Sequence, residues 1–312
     1  MRAVGFFAHG RPEELQVVEV PEVHAGPGEV RIRVGAATVN PSDILTRNGF
    51  RAEQQKGEPT PYVPGTELAG IIDEIGSGVP DRLKVGDPVM AIMMPKGSYG
   101  AYREQVVLDA RAVVRAPTAR SHAEACTLPM NGLTARMSLD LLKLSSGQVI
   151  AVTGAAGAYG GYVVQIAKAD GLTVIADASE KDEAFVSSLG ADIVVRRGDD
   201  VASRFRSHFP DGVDGVADGA VLNELVIPAV RDGGAYTSVR RFVGTPQRDI
   251  NFTATWVSEY LHEWEKLDRL RQLVEAHKIT LRVAEVYPAE KAADAHRRLE
   301  ARGTIGRLVI QF

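Results

Sequence analysis

Val149-Ile150-Ala151-Val152-Thr153-Gly154-Ala155-Ala156-Gly157-Ala158-Tyr159-Gly160-Gly161 decides the reading of this 312-residue chain. Its first five residues form a β-branched, apolar run of the kind that makes a buried strand. A turn of glycine and alanine follows, and an amphipathic helix is expected over 162–169. Strand, small-residue turn and helix N-terminus in that order build a pyrophosphate cradle. The helix dipole and its free N–H groups face the anion, and small side chains let the backbone approach it. Gly154, Gly157 and Gly160 recur at every third position instead of in the usual G-x-G-x-x-G spacing. A tight strand–helix connection needing positive φ also explains such glycines, so the residues downstream carry the decision.

Downstream, a second apolar strand over 172–176 ends in Asp177, 23 residues beyond Gly154. That is close to the separation of roughly 20 expected between a dinucleotide turn and the acid that grips the adenosine ribose. A helix is expected at 182–189, a turn at Gly190-Ala191-Asp192 and a strand at 193–195, with further apolar runs at 215–217 and 235–239. Strand and helix alternating at this pitch predict a parallel, doubly wound α/β sheet.

The flanking sequence is different in kind. Over 1–120, short strands such as 29–34 alternate apolar and charged positions, and Gly26-Pro27-Gly28, Pro64-Gly65 and Gly86-Asp87-Pro88 punctuate them. A strand at 280–283, a helix at 289–302 and a last strand at 308–312 form a tail expected to return to this β-rich unit. The expected domains are therefore 1–120 with 263–312, and a nucleotide-binding insert at 121–262.

Composition sets limits. With 45% hydrophobic and 24% charged residues the usage is ordinary for a globular protein, and a formal charge of −4 does not suggest a nucleic-acid or membrane partner. No run approaches the roughly 18 apolar residues of a membrane span, and 1–9 does not read as a signal peptide, so a cytoplasmic location is expected. Cys126 is the only cysteine, which excludes an internal disulfide; among Ala123, Ala125 and Leu128 it reads as packed rather than reactive.

Several motifs together carry a resemblance: Asn40-Pro41-Ser42-Asp43, Pro64-Gly65-Thr66-Glu67, Lys84-Val85-Gly86-Asp87, Asn131-Gly132-Leu133-Thr134, the Gly154–Gly161 turn, Leu189-Gly190-Ala191-Asp192 and Gly303-Thr304-Ile305-Gly306. In this order and over nearly the whole length, the chain resembles the zinc-free medium-chain dehydrogenase/reductases of the quinone oxidoreductase (zeta-crystallin-like) branch. The resemblance implies a GroES-like catalytic domain, a Rossmann domain and a nicotinamide-dependent reductase. It also implies a homodimer joined through the outer strands of two nucleotide domains.

The resemblance also locates missing metal ligands. Zinc-dependent members use a Cys and a His for the catalytic ion and four Cys in a structural lobe. Here Asn40 and Ser42-Asp43 stand at the first Cys and its following His, and Thr66-Glu67 replaces a His-Glu pair. No zinc is expected. A site without a metal suits hydride transfer to a quinone or an α,β-unsaturated carbonyl. There the negative charge spreads into a quinol or enolate, and one or two hydrogen-bond donors suffice.

Asn40, Thr134 and Tyr62 are the candidate catalytic residues. For Asn40 an Asx turn before Pro41 is the competing reading, and for Tyr62 a packed strand residue. The cofactor-binding set comprises Asn40, Thr134, the turn Gly154-Ala155-Ala156-Gly157-Ala158-Tyr159-Gly160, and Asp177, Ser179, Lys181, Arg196 and Arg197. Ser238, Val239, Arg240 and Arg302 complete it, with Arg241 beside Arg240 left without a role. The family favours NADPH, with Ser179, Lys181 and Arg196 or Arg197 placed to meet a 2′-phosphate. Asp177 keeps NADH open, because it would repel a phosphate and bond a ribose diol. Two alternatives remain: a zinc-independent, NADP-dependent alcohol dehydrogenase, and an NADPH-binding protein without a catalytic role.

Overall fold

Alternating burial in the first strands and continuous burial in the middle ones divide the chain in two. The computed structural model describes residues 1–240, 242 and 245–312. One unit comprises Met1–Met130, Leu261–Glu275 and Thr280–Phe312; the other comprises Asn131–Tyr260 and Ala276–Ile279.

In the first unit β1 (Arg2–Gly5) pairs antiparallel with β2 (Gln16–Glu19). β3 (Glu29–Thr38) buries Val30, Ile32 and Val34 and exposes Arg33, the period-2 pattern of a sheet with one solvated face. It leads to α1 (Pro41–Arg47), β4 (Glu67–Ile75), β5 (Pro88–Ile92), β6 (Gln105–Asp109) and β7 (Val113–Arg115). α2 (His122–Ala125) packs on β3, β4 and β5, which keeps the chain with the first unit beyond residue 120.

α3 (Pro129–Leu142) precedes the nucleotide-binding sheet. That sheet is assembled from β8 (Val149–Thr153), α4 (Ala158–Ala169), β9 (Thr173–Ala178), α5 (Glu183–Ser188), β10 (Ile193–Arg196), α6 (Val201–His208), β11 (Val213–Asp218), β12 (Val230–Ser238) and β13 (Asn251–Ala254). All its pairings are parallel, in the order β10-β9-β8-β11-β12-β13. The order reverses between β8 and β11, the switch point where ligands bind in such sheets. α4 starts at Ala158 rather than at 162. Gly157 takes the extended N-cap conformation, and the small residues after it let the first turn form against β8.

The C-terminal elements are α7 (Trp264–Glu275), β14 (Val283–Pro288), α8 (Ala292–Glu300) and β15 (Arg307–Gln311). β15 pairs antiparallel with β3 and parallel with β14, giving the order β14-β15-β3-β4-β5-β7 with β6 also on β3. The tail thus completes the first sheet. α7 buries Leu267, Leu270 and Val274 along one stripe and leaves its charges outward. No helix among the described residues is long and apolar enough to cross a membrane.

Candidate active site

The turn after β8 is closed by its own backbone, with Gly157 N donating to Gly154 O at 2.9 Å and Gly161 N to Gly157 O at 3.0 Å. Gly154 sits at φ +66°, where a side chain would be strained. A Cβ on Gly160 would lie 2.4 Å from Gly154 O, so nothing larger than hydrogen fits. Ala155 is buried, Ala156 and Ala158 are half-buried, and Gly157 at the N-cap is exposed. The turn therefore presents backbone at the N-terminus of a 12-residue helix, as an anion cradle requires.

Asp177, at the end of β9, is buried, and its Oδ1 accepts the Gly154 N–H at 2.6 Å; the Ala155 N–H adds a second bond. Burial pushes this carboxyl above its usual range even though both backbone donors pull it down. Its charge is spent on tying the phosphate turn to β9, a commitment that spacing alone does not reveal. Beyond it, Ser179 gives its hydroxyl to Asp182, and Arg197 Nη2 reaches Asp182 Oδ2 at 3.4 Å. Arg196 is drawn away to Glu183 at 2.8 Å and Glu180 at 3.0 Å. Lys181 is exposed and has no ion pair among the described residues.

At the other side of the same sheet, Ser238 is buried at the end of β12, with its Oγ accepting the Arg240 N–H at 3.3 Å. Val239 is half-buried and Arg240 exposed, while Arg241 lies outside the described residues. Thr134 is half-buried in the middle of α3.

In the first unit, three neighbouring strands bring their ends together. Thr38 closes β3, Glu67 opens β4 and Arg307 opens β15. Glu67 is fully buried and Arg307 is 5% exposed. Arg307 Nη2 donates to Glu67 Oε1 at 2.7 Å, Asn40 Oδ1 at 2.7 Å and Thr38 Oγ1 at 2.9 Å. Asn40 Nδ2 donates to the same Glu67 oxygen at 3.0 Å and to Thr66 Oγ1 at 3.2 Å, and Thr38 bonds Glu67 as well. The second Glu67 oxygen accepts the Met130 N–H at 2.7 Å. The Asn40 side chain is therefore spent inside this network, which the sequence reading did not anticipate. The available signal was a Glu and an Arg each leading an apolar strand, where a buried charge needs a partner.

A second buried chain adjoins it. Asp43 accepts the Asn40 N–H at 2.8 Å, the Gly65 N–H at 3.2 Å and the Tyr102 hydroxyl at 3.0 Å. Burial raises its pKa to about 6, outweighing these donors. His296 stands edge-on to Tyr102, its Nε2 3.5 Å from the hydroxyl and its Nδ1 3.3 Å from Arg47 Nη1. A guanidinium only donates, so Nδ1 is the acceptor and the ring is neutral. Burial, with the Arg47 charge added, lowers the His296 pKa to about 3.

Of the remaining candidates, Tyr62 is half-buried, stacks on His9 at 5.4 Å and turns its hydroxyl to the carbonyls of Glu58 and Gln55 at 3.3 and 3.4 Å. Arg302 is exposed just after α8, at φ +59°, and its carbonyl accepts from Arg298.

Comparison with known proteins agrees with this architecture. Residues 26–118 match the alcohol dehydrogenase GroES-like domain, and 189–310 match the zinc-binding dehydrogenase family. Across 99% of its length the chain is 30% identical to 2-methylene-furan-3-one reductase of Solanum lycopersicum, covering 79% of that protein. The chain belongs to the medium-chain dehydrogenase/reductase family. Within it, NADPH-dependent alkenal/one oxidoreductase, chloroplastic, of Arabidopsis thaliana is 29% identical over 99% of this chain and 79% of that one. The quinone oxidoreductase from Coxiella burnetii superposes with a TM-score of 0.86 at 28% identity, over 100% of this chain and 99% of that chain. Both the GroES-like unit and the Rossmann unit of the family are thus present.

Proposed function

We propose that this chain is an NADPH-preferring, zinc-independent reductase that passes hydride to a quinone or an α,β-unsaturated carbonyl. The observation that carries the reading is the backbone-lined turn Gly154–Gly160 at the switch point of an all-parallel sheet. The named relatives, reductases of alkenals, enones and quinones, supply the substrate class.

A nicotinamide cofactor held by that turn supplies the hydride. NADPH is favoured because Asp177 is buried and bonded to the turn, and so is not a free acid facing a 2′-phosphate. Lys181 is the cation left near the end of β9, beside Arg197, which is paired with Asp182. In the first unit Asn40 fixes its loop through Glu67 and Arg307; Thr134 stays a catalytic candidate on the resemblance alone. Tyr62, its hydroxyl turned to loop carbonyls, is the weakest of the three catalytic candidates.

The donor chemistry does not fit zinc. At the family's metal-ligand positions Glu67 is neutralised by Arg307, Asp43 is taken up by the Asn40 and Gly65 N–H groups and the Tyr102 hydroxyl, and Asn40 and Thr66 offer only an amide and a hydroxyl. Among the described residues no three His, Cys, Asp or Glu side chains gather as a metal site. A homodimer is part of the proposal: β13 is the outermost strand of its sheet, and a second copy would cover its open edge. So is a cytoplasmic location, which suits a chain with a single buried thiol.

The test is oxidation of NADPH, with NADH in parallel, against quinones, enals and enones in the presence of a chelator. Consumption with a conjugated acceptor, faster with NADPH and indifferent to chelation, is expected. Faster oxidation of secondary alcohols would instead make it an alcohol dehydrogenase, and cofactor binding without turnover a binding protein. Lys181→Ala should weaken NADPH and spare NADH.

A further inference from the structure

The phosphate turn carries one large side chain. Tyr159, the second residue of α4, is half-buried, and its hydroxyl donates to Ser138 Oγ at 2.8 Å. Ser138 Oγ donates to the Thr134 carbonyl one turn back in α3, at 3.0 Å. It also lies 2.7 Å from Thr255 Oγ1, which is 3.1 Å from Thr237 Oγ1 at the end of β12. Ser138, Thr237 and Thr255 are all buried.

Counting protons sets the directions. Ser138 spends its only proton on the Thr134 carbonyl, so Thr255 donates to Ser138 and Thr237 donates to Thr255. The Ser138 oxygen is then saturated, with one proton given and two accepted. Tyr159 has given its proton too. Burial, reinforced by the Asp218 charge, raises the phenol above its ordinary range, so it stays a donor. What Tyr159 can offer a ligand is the face of its ring.

That ring is held at three points. Its backbone is in the turn, its hydroxyl is on α3, and its edge rests on Gly219, immediately after β11. A Cβ on Gly219 would lie 2.7 Å from the Tyr159 Cδ1 atom. The turn after β8 and the end of β11 flank the crevice that a dinucleotide crosses. The ring therefore runs from the pyrophosphate cradle toward the helix that carries Thr134.

We propose that Tyr159 is a cofactor-positioning residue whose ring, locked by the Ser138–Thr255–Thr237 hydroxyl chain, forms the floor under the nicotinamide riboside half of the dinucleotide. The proposal rests on the nicotinamide reading above. It assigns the adenosine half no dependence on Tyr159.

The experiment compares dissociation constants of NADPH and of 2′-phospho-ADP-ribose, which lacks the nicotinamide, on the full-length protein and on Tyr159→Val and Tyr159→Phe. Melting curves serve as the folding control. Tyr159→Val should weaken NADPH about tenfold and leave 2′-phospho-ADP-ribose within about twofold. Tyr159→Phe keeps the ring but loses its anchor, and should fall between wild type and Tyr159→Val. Equal losses for both ligands would make the residue a prop for the whole turn, and no loss for either would remove it from the site; both results overturn the proposal. A wild-type protein that binds no reduced dinucleotide would overturn the cofactor reading itself, a result distinct from any effect of the variants.

Discussion

Asp43 and His296 should oppose one another in the pH dependence of stability. Both are buried, and both touch the Tyr102 hydroxyl. Asp43 rises from 3.8 to about 6 on folding, so between those values the native chain keeps a proton that the unfolded chain has released. Its contribution is present in full below 3.8 and is lost as pH climbs through 6. At about 1.4 kcal/mol per pKa unit, a rise of about two units is worth about 3 kcal/mol. His296 falls from 6.5 to about 3, so there the unfolded chain holds the extra proton, and stability grows as pH climbs through the window. Its drop of about 3.5 units is worth about 5 kcal/mol by the same conversion. From about pH 4 to 6 the two slopes nearly cancel, and the pair should leave wild-type stability almost level.

Single variants unmask the slopes. Urea unfolding at half-unit pH steps should show Asp43→Asn gaining stability with pH across this window, by about 2 kcal/mol relative to wild type. His296→Phe should lose a comparable amount over the same span. Both readouts are differences in slope, so a uniform loss of stability in either variant does not disturb them. If the variant and wild-type curves run parallel from about pH 4 to 6, the two groups do not titrate as their burial demands and the reasoning fails.

Arg307→Met should cost about 3–5 kcal/mol in urea unfolding, because it strands the fully buried Glu67, and adding Glu67→Gln should return most of the loss. A double variant no more stable than the single one would show that Arg307 acts through packing instead. Gly160→Ala places a methyl against Gly154 O, and should cut NADPH affinity by about tenfold or more in a fluorescence titration. Unchanged affinity would remove the turn from the cofactor site. Cys126 is sealed, and burial holds its thiol well above the usual range, so a disulfide reagent should label it only after unfolding. Rapid labelling of the native protein would contradict its packing.

Much of the molecule is legible locally. The β-branched run at 149–153, the glycines after it and the repeating pitch of strand and helix are short-range signals, and they suffice for a doubly wound nucleotide unit. Period-2 alternation reveals the solvated face of β3. These features follow from the chain itself because each depends on residues within a turn or two of one another.

The chemistry inside the two units was decided elsewhere. Arg307 and Glu67 are 240 positions apart and meet only because β15 and β4 flank β3. Asn40 looked like a donor with a free amide, and Asp177 like an acid waiting for a ribose. Folding brought Asn40 beside Arg307 and Glu67, and Asp177 beside the Gly154 and Ala155 N–H groups. Sequence shows which residues can ionise or hydrogen-bond. Which of those capacities remain for a ligand depends on what each buried group must satisfy first, and that is settled by the strands and turns that tertiary structure sets beside it.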